Sequence, residues 1–231
     1  MFPALTPVVL NLLIINGLVW LLQLALMQTD PQFLQYFVLV KTDFLGIREA
    51  LYEQVIPPDG FIMGSGGTGI HLQFQPYQLV THFFSHSYDS VTHILFNMLA
   101  LVMLGPQVER VIGPARFLRV YLFAGFVGGT FVALFDPSLV PVLGASGAVS
   151  GIVLLFAMIY PDARMFIFPI PIPIKAKYLV TGIIVLSTFL VIQSMQDPGA
   201  GGGVSHFGHL MGMLATFLYI VGVRYVNQIR R

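Results

Sequence analysis

The sequence predicts an all-α polytopic membrane protein. It is read as one domain over residues 1–231, with six transmembrane helices and a long outer first loop. Three observations carry this. Hydrophobic residues make up 56% of the chain and charged residues only 9%, against roughly a quarter charged in a soluble domain. So few charges cannot cover a soluble surface. The apolar residues fall into six runs, about 7–27, 88–106, 117–135, 145–160, 177–195 and 205–223. Most of these approach the ~20 residues that cross a hydrocarbon core of roughly 30 Å. Basic residues also sort by loop. With a cytoplasmic N-terminus, Arg110, Arg116, Arg119, Arg164, Lys175, Lys177, Arg224, Arg230 and Arg231 lie inside, and only Lys41 and Arg48 outside. The positive-inside rule therefore puts both termini in the cytoplasm of a multi-pass cell-membrane protein.

The elements follow in order. The opening "MFPALTPVVL" has no basic leader and no small-residue cleavage site after it, so it reads as a retained first span. The outer connection, about 28–87, mixes apolar stretches ("FLQYFVLV", "FLGIREALYEQVI") with the glycine run "GSGGTG". It is expected to hold one or two amphipathic helices in the membrane interface, then a turn. The second span carries "THILFN". The fourth is short and opens at "GASGAVSG", residues 144–151. Between the fourth and fifth spans, "FPIPIPIKAK" is expected to be extended, because proline lacks an N–H and restricts its neighbour. The sixth span carries "SHFGHLMG".

Composition also excludes. A net charge of +1 gives no reason for nucleic-acid binding, and the absence of cysteine rules out disulfides, thiolate metal sites and a cysteine nucleophile. No cofactor is implied.

Polar side chains inside a span are costly and tend to be functional. His93 and Asn97 share a face of the second span, Ser146 and Ser150 lie on the fourth, and His206 and His209 on the sixth. All three of these spans run from outside to inside. At 1.5 Å per residue, His93, Ser146 and His209 each fall within roughly 10 Å of the outer surface. A serine becomes a nucleophile only beside a base, usually histidine. Ser146 opens a helix, where unpaired N–H groups favour negative charge. His93 and Asn97 add side-chain donors for an oxyanion. These are the parts of serine acyl transfer without an acid. The same stretch also serves packing. Gly147 and Gly151 form one G-x-x-x-G and Gly208 and Gly212 another, with Gly144 just before the first. Such faces let helices approach closely, and a short Ser–His distance needs that approach, so the two readings are compatible.

These residues resemble the rhomboid intramembrane serine proteases. "GASG" resembles the family's G-x-S-G, "GHLMG" its A-H-x-x-G, "HILFN" its H-x-x-x-N, and "ERVIG" (Glu109, Arg110, Gly113) its E-x-x-x-G. The resemblance runs over roughly 75–220. It implies a six-helix rhomboid bundle, Ser146 as nucleophile and His209 as base. It places the backbone N–H of Ser146, with His93 and Asn97, at the oxyanion. It further implies transmembrane-protein substrates met in membrane lipid near the outer face, lateral entry past the fifth span, and "QDPGAGGG" as a lid. There are departures. Tyr77-Gln78 stands where Trp-Arg is usual, the His86–His93 spacing is long, Ser150 replaces an aromatic that stacks on the base, and Thr216 replaces a glycine.

His206 competes with His209 for the base role. Gly212 follows His209 at the family spacing, whereas His206 lies one turn nearer the surface and reads as interfacial. His82 and His86 form another i, i+4 pair. A metal site of His82, His86 and His206 is conceivable, but no carboxylate or thiolate ligand and no H-E-x-x-H accompany it. His71 reads as surface. Two other functional classes stand beside the protease. An inactive rhomboid-like protein that binds membrane clients would lack Ser or His. A small transporter would place polar sites at the midplane of broken helices.

Overall fold

The computed structural model describes residues 3–40, 74–88, 90–136, 141–167, 170–197 and 204–229. Each apolar run is a helix: α1 (Pro7–Thr29), α2 (Val91–Ile112), α3 (Pro114–Phe135), α4 (Ser146–Ile159), α5 (Ala176–Gln196) and α6 (His206–Ile229). Five are long and apolar enough to cross a membrane, and α4 has only 14 residues. The chain is a multi-pass membrane protein. Proline at the first helical position starts both α1 and α3, where its missing N–H has no partner to lose.

Helix α2 is longer than the expected 88–106. It begins at Val91 and runs through Pro106 to Ile112. The reason lies in its last turn. Glu109 is buried and accepts from Thr6 Oγ1 (2.5 Å), Val9 N–H (3.0 Å) and Val8 N–H (3.3 Å). One carboxylate thus satisfies free N–H groups at the start of α1, where the helix dipole also favours it. Arg110 donates to the Ala4 carbonyl. Gly113 ends α2 at φ +83°, a conformation that favours glycine.

Helix α4 is the centre of the bundle, with Ala148, Val149, Gly151, Ile152, Leu155, Phe156 and Ala157 buried. It packs most extensively on α6, and α6 packs in turn on α3. The contacts are backbone to backbone. A Cβ added at Gly212 would sit 2.1 Å from the Gly147 carbonyl oxygen. One at Gly128 on α3 would meet Gly212 N at 3.3 Å, and one at Gly151 would meet Thr216 Oγ1 at 2.3 Å. Lipid supplies no hydrophobic drive between helices, so close approach of small residues is what holds them. Gly212→Ala should therefore lower the thermal midpoint in detergent, with a cost in the overpacking range of about 1–3 kcal/mol. Gly182→Ala on α5, where nothing lies within 4 Å, is the control. Equal midpoints for the two variants would mean the seam yields easily.

The proline-rich segment is extended, and it is also paired. β1 (Arg164–Ile167) runs antiparallel to β2 (Ile170–Lys175), with Arg164 opposite Lys175. Pro171 and Pro173 alternate with residues that keep their N–H, so the missing donors fall on one edge of β2. Asp162 lies between Lys175 (3.0 Å) and Lys177 (2.9 Å) beside the hairpin. These cations hold its carboxyl below the usual range.

The connection after α1 differs from expectation. Residues of "FLQYFVLV" form a 3-10 turn, Pro31–Tyr36, and then an extended segment in which Leu39 pairs with Val142. Residues 41–73, with "FLGIREALYEQVI", "GSGGTG" and His71, lie outside the described residues, as do 198–203 of "QDPGAGGG". The chain re-enters as a short helix, Gln78–Thr81, that tightens to a 3-10 turn at His82–Phe84.

Candidate active site

Ser146 is the first residue of α4 and is half-buried. The preceding Gly144 has φ +130°, and its N–H donates to the His82 carbonyl at 2.9 Å. A Cβ on Gly144 would lie 2.7 Å from His93 Nε2 and 3.7 Å from Ser146 Oγ. Glycine is needed there twice over, for its backbone and to let His93 reach the serine. Gly144 therefore stands apart from Gly147, Gly151, Gly208 and Gly212, which line the helix contacts.

His93 is held in one tautomer. Its Nδ1 accepts from the Ser87 N–H at 3.1 Å. A neutral imidazole with an acceptor Nδ1 carries its proton on Nε2. The atom facing Gly144 and Ser146 is therefore a donor. Asn97 is buried one turn further along α2, and its Nδ2 donates to the His93 carbonyl at 2.8 Å. Its second amide N–H remains for another acceptor.

The backbone contact of Gly212 with Gly147 brings α6 against the start of α4, and His209 lies one turn before Gly212. Helix α4 packs on both α2 and α6, so His93 and His209 lie on the two helices that flank it. The His206 and His209 rings meet edge to face, 5.9 Å between centroids. No hydrogen bond joins Ser146 Oγ to the His209 ring among the described residues. Nucleophile–base bonds commonly tighten only with substrate in place. Ser146, His93, His206 and His209 are all partly exposed.

Each departure has a structural counterpart. Gln78 is fully buried where Arg is usual. It donates to the Gln35 carbonyl (2.9 Å) and accepts from Val40 N–H and Gln75 N–H (3.2 Å each), tying the extended segment down. Within the long His86–His93 interval, the Ser87 N–H holds His93. In the absence of an aromatic at 150, the ring against His209 is His206. Thr216 fits because Gly151 faces it.

His82 and His86 do not share a helix face, since the helical turn ends at Phe84. His82 lies on Gly129, its Nδ1 bonded to the Gln78 carbonyl (2.7 Å), and burial pushes its pKa down to about 4. Among the described residues, no three His, Asp or Glu side chains gather as metal ligands.

Sequence reasoning placed the start of α6 within a residue but missed its cap. Ser205 Oγ accepts from Gly208 N–H (3.1 Å) and donates to the buried Asp136 at the end of α3 (2.7 Å). This is an N-cap, and a serine just before the last apolar run is its sequence signal.

The chain is similar to known proteins. A family model described as the Rhomboid domain matches residues 73–226. The chain is 36% identical over 116 residues to RHOMBOID-like protein 12, mitochondrial, of Arabidopsis thaliana, covering 42% of this chain and 34% of that protein. It is 33% identical over 130 residues to Rhomboid protease GluP of Bacillus subtilis, covering 55% and 22%. It is 29% identical over 147 residues to Rhomboid protease AarA of Providencia stuartii, covering 56% and 52%. These matches span less than two thirds of each relative's length. A match that takes in α2 to α6, and with them Ser146, His93 and His209, leaves one conclusion about ancestry: the chain belongs to the rhomboid family.

Proposed function

We propose that this protein is an intramembrane serine endopeptidase. It cleaves transmembrane or juxtamembrane segments near the outer face of the cell membrane and needs no cofactor. One observation carries the reading: Ser146 Oγ and the protonated Nε2 of His93 flank a single point above Gly144, at the open N-terminus of α4. Three of the relatives with comparable segments, GluP and AarA among them, bear protease names.

The steps follow from the groups present. His209 takes the Ser146 proton as Oγ bonds to the scissile carbonyl carbon. The carbonyl oxygen becomes an oxyanion, met by the Ser146 N–H, His93 Nε2–H and the free Asn97 amide N–H. The intermediate collapses, the C–N bond breaks, and the leaving amine takes the proton from His209. Water, reaching the half-exposed site, then attacks the acyl-enzyme with His209 again as base, releasing the acid and restoring Ser146. A helical peptide bond is shielded, so substrates are segments that unwind easily. With nine basic residues on one side and two on the other, this end of the bundle faces outward and the termini are cytoplasmic.

A fluorophosphonate tests the reading on purified protein in detergent. It should label Ser146 and no other serine, whereas an inactive client-binding relative or a transporter would stay unlabelled. His93→Ala should slow substrate cleavage by up to roughly 10²–10³-fold, the scale for one oxyanion donor, with little change in KM. A normal rate with weakened binding would move His93 to substrate recognition.

A further inference from the structure

We propose that Gln23 on α1 is a positioning residue for the oxyanion site, acting through one peptide unit to hold His93 in its donor tautomer. The proposal rests on the protease reading and assigns work to a helix outside the matched rhomboid segment, residues 73–226.

Gln23 is fully buried, and its amide is bonded on both sides. Oε1 accepts from the His86 N–H at 3.0 Å, and Nε2 donates to the His86 carbonyl at 3.2 Å. That carbonyl belongs to the peptide unit joining His86 to Ser87. The N–H of the same unit donates to His93 Nδ1 at 3.1 Å. A trans peptide is planar, with its C=O and N–H pointing in opposite directions. Fixing the carbonyl with Gln23 therefore aims the N–H at His93. The connection is Gln23 Nε2–H to His86 C=O, then Ser87 N–H to His93 Nδ1. Bonds in such a chain polarise one another. Trp20 Nε1 supports the next peptide unit by donating to the Ser87 carbonyl at 3.0 Å.

The alternative arrangement is unfavourable for catalysis. If the 86–87 peptide turned, the Ser87 N–H would leave Nδ1 and the ring could take its proton there. Nε2 would then present a lone pair to the oxyanion. Among the described residues, no side chain is hydrogen-bonded to His93 Nδ1 in its place. The His86 ring is 5.3 Å from the His93 ring and makes no hydrogen bond to it. Burial, with His93 beside it, pushes the His86 pKa down to about 3, so the ring stays neutral. A primary amide is also expensive in a lipid-crossing helix unless it is used.

The test compares wild type, Gln23→Met, His93→Ala and the double variant, all as the full chain in one detergent with melting curves. Gln23→Met should lower kcat by about 10- to 100-fold, the scale of a small misplacement, with KM within about twofold. The double variant should be no slower than His93→Ala alone. Nitrogen NMR of histidine-labelled protein, with the His93 signals assigned by their loss in His93→Ala, should show Nε2–H in wild type and a mixture in Gln23→Met. The proposal is overturned by losses that multiply in the double variant, by a loss confined to KM, or by an unchanged tautomer. Should Gln23→Met not fold, the wild-type spectrum still decides, since an Nδ1–H tautomer at His93 refutes the arrangement. If the tautomer shifts as expected while wild type neither cleaves nor takes the fluorophosphonate, the protease reading fails and the positioning stands.

Discussion

Ser146→Ala is expected to abolish cleavage of a transmembrane substrate while leaving the fold intact. The two halves of this result rest on different physics. Without Oγ there is no acyl-enzyme, and losing a serine nucleophile elsewhere costs roughly a millionfold in kcat. The hydroxyl makes no hydrogen bond among the described residues, so its removal should cost less than the ~1 kcal/mol of a typical bond. Ser150→Ala, one turn further along α4, should be mild by comparison. Turnover and melting midpoints of the two variants, measured in one detergent, form the test. Near-normal turnover for Ser146→Ala would remove the serine mechanism altogether.

His209→Ala should be equally inactive, and His206→Ala should keep substantial activity. The two lie three residues apart and differ in height by about 4.5 Å. The height that matters is set by glycine. Gly208 and Gly212 bracket His209, and at Gly212 the α4 backbone comes so close that no Cβ fits. A base must lie within about 3 Å of its nucleophile, directly or through one water, and the closest approach of the helices is where that can happen. His206 offers its ring edge to face with His209. Losing such a contact is worth about 0.5–1.5 kcal/mol, so the expected loss is within about tenfold. A folded but inactive His206→Ala beside an active His209→Ala would move the site one turn outward.

The apolar helices were legible because lipid imposes a simple rule: a crossing needs an apolar run of a given length, which five of them have. Helix ends were less so. Pro106 reads as a stop, and only the pairing of Glu109 with the start of α1, about a hundred residues away in sequence, lets α2 continue. The residues proposed for the chemistry stood out because a hydroxyl, an amide and imidazoles are rare within apolar runs. Their supports were not. The tautomer of His93 depends on the N–H of Ser87, which no side-chain pattern announces. Gln78 looks like a loss of the usual arginine until its three backbone partners are seen. The Leu39–Val142 pairing joins stretches over a hundred residues apart, and neither has a period that predicts it.

The grip of Glu109 on the start of α1 has a consequence for synthesis. Helix α1 leaves the ribosome before α2, and the carboxylate that satisfies its opening N–H groups is made 100–103 residues later. At about 5–20 residues per second, that is a wait of roughly 5–20 s. During this interval the end of α1 must stay hydrated at the membrane surface, and docking becomes favourable only when the far end of α2 arrives. Helix α1 is therefore made well before the group that seats it.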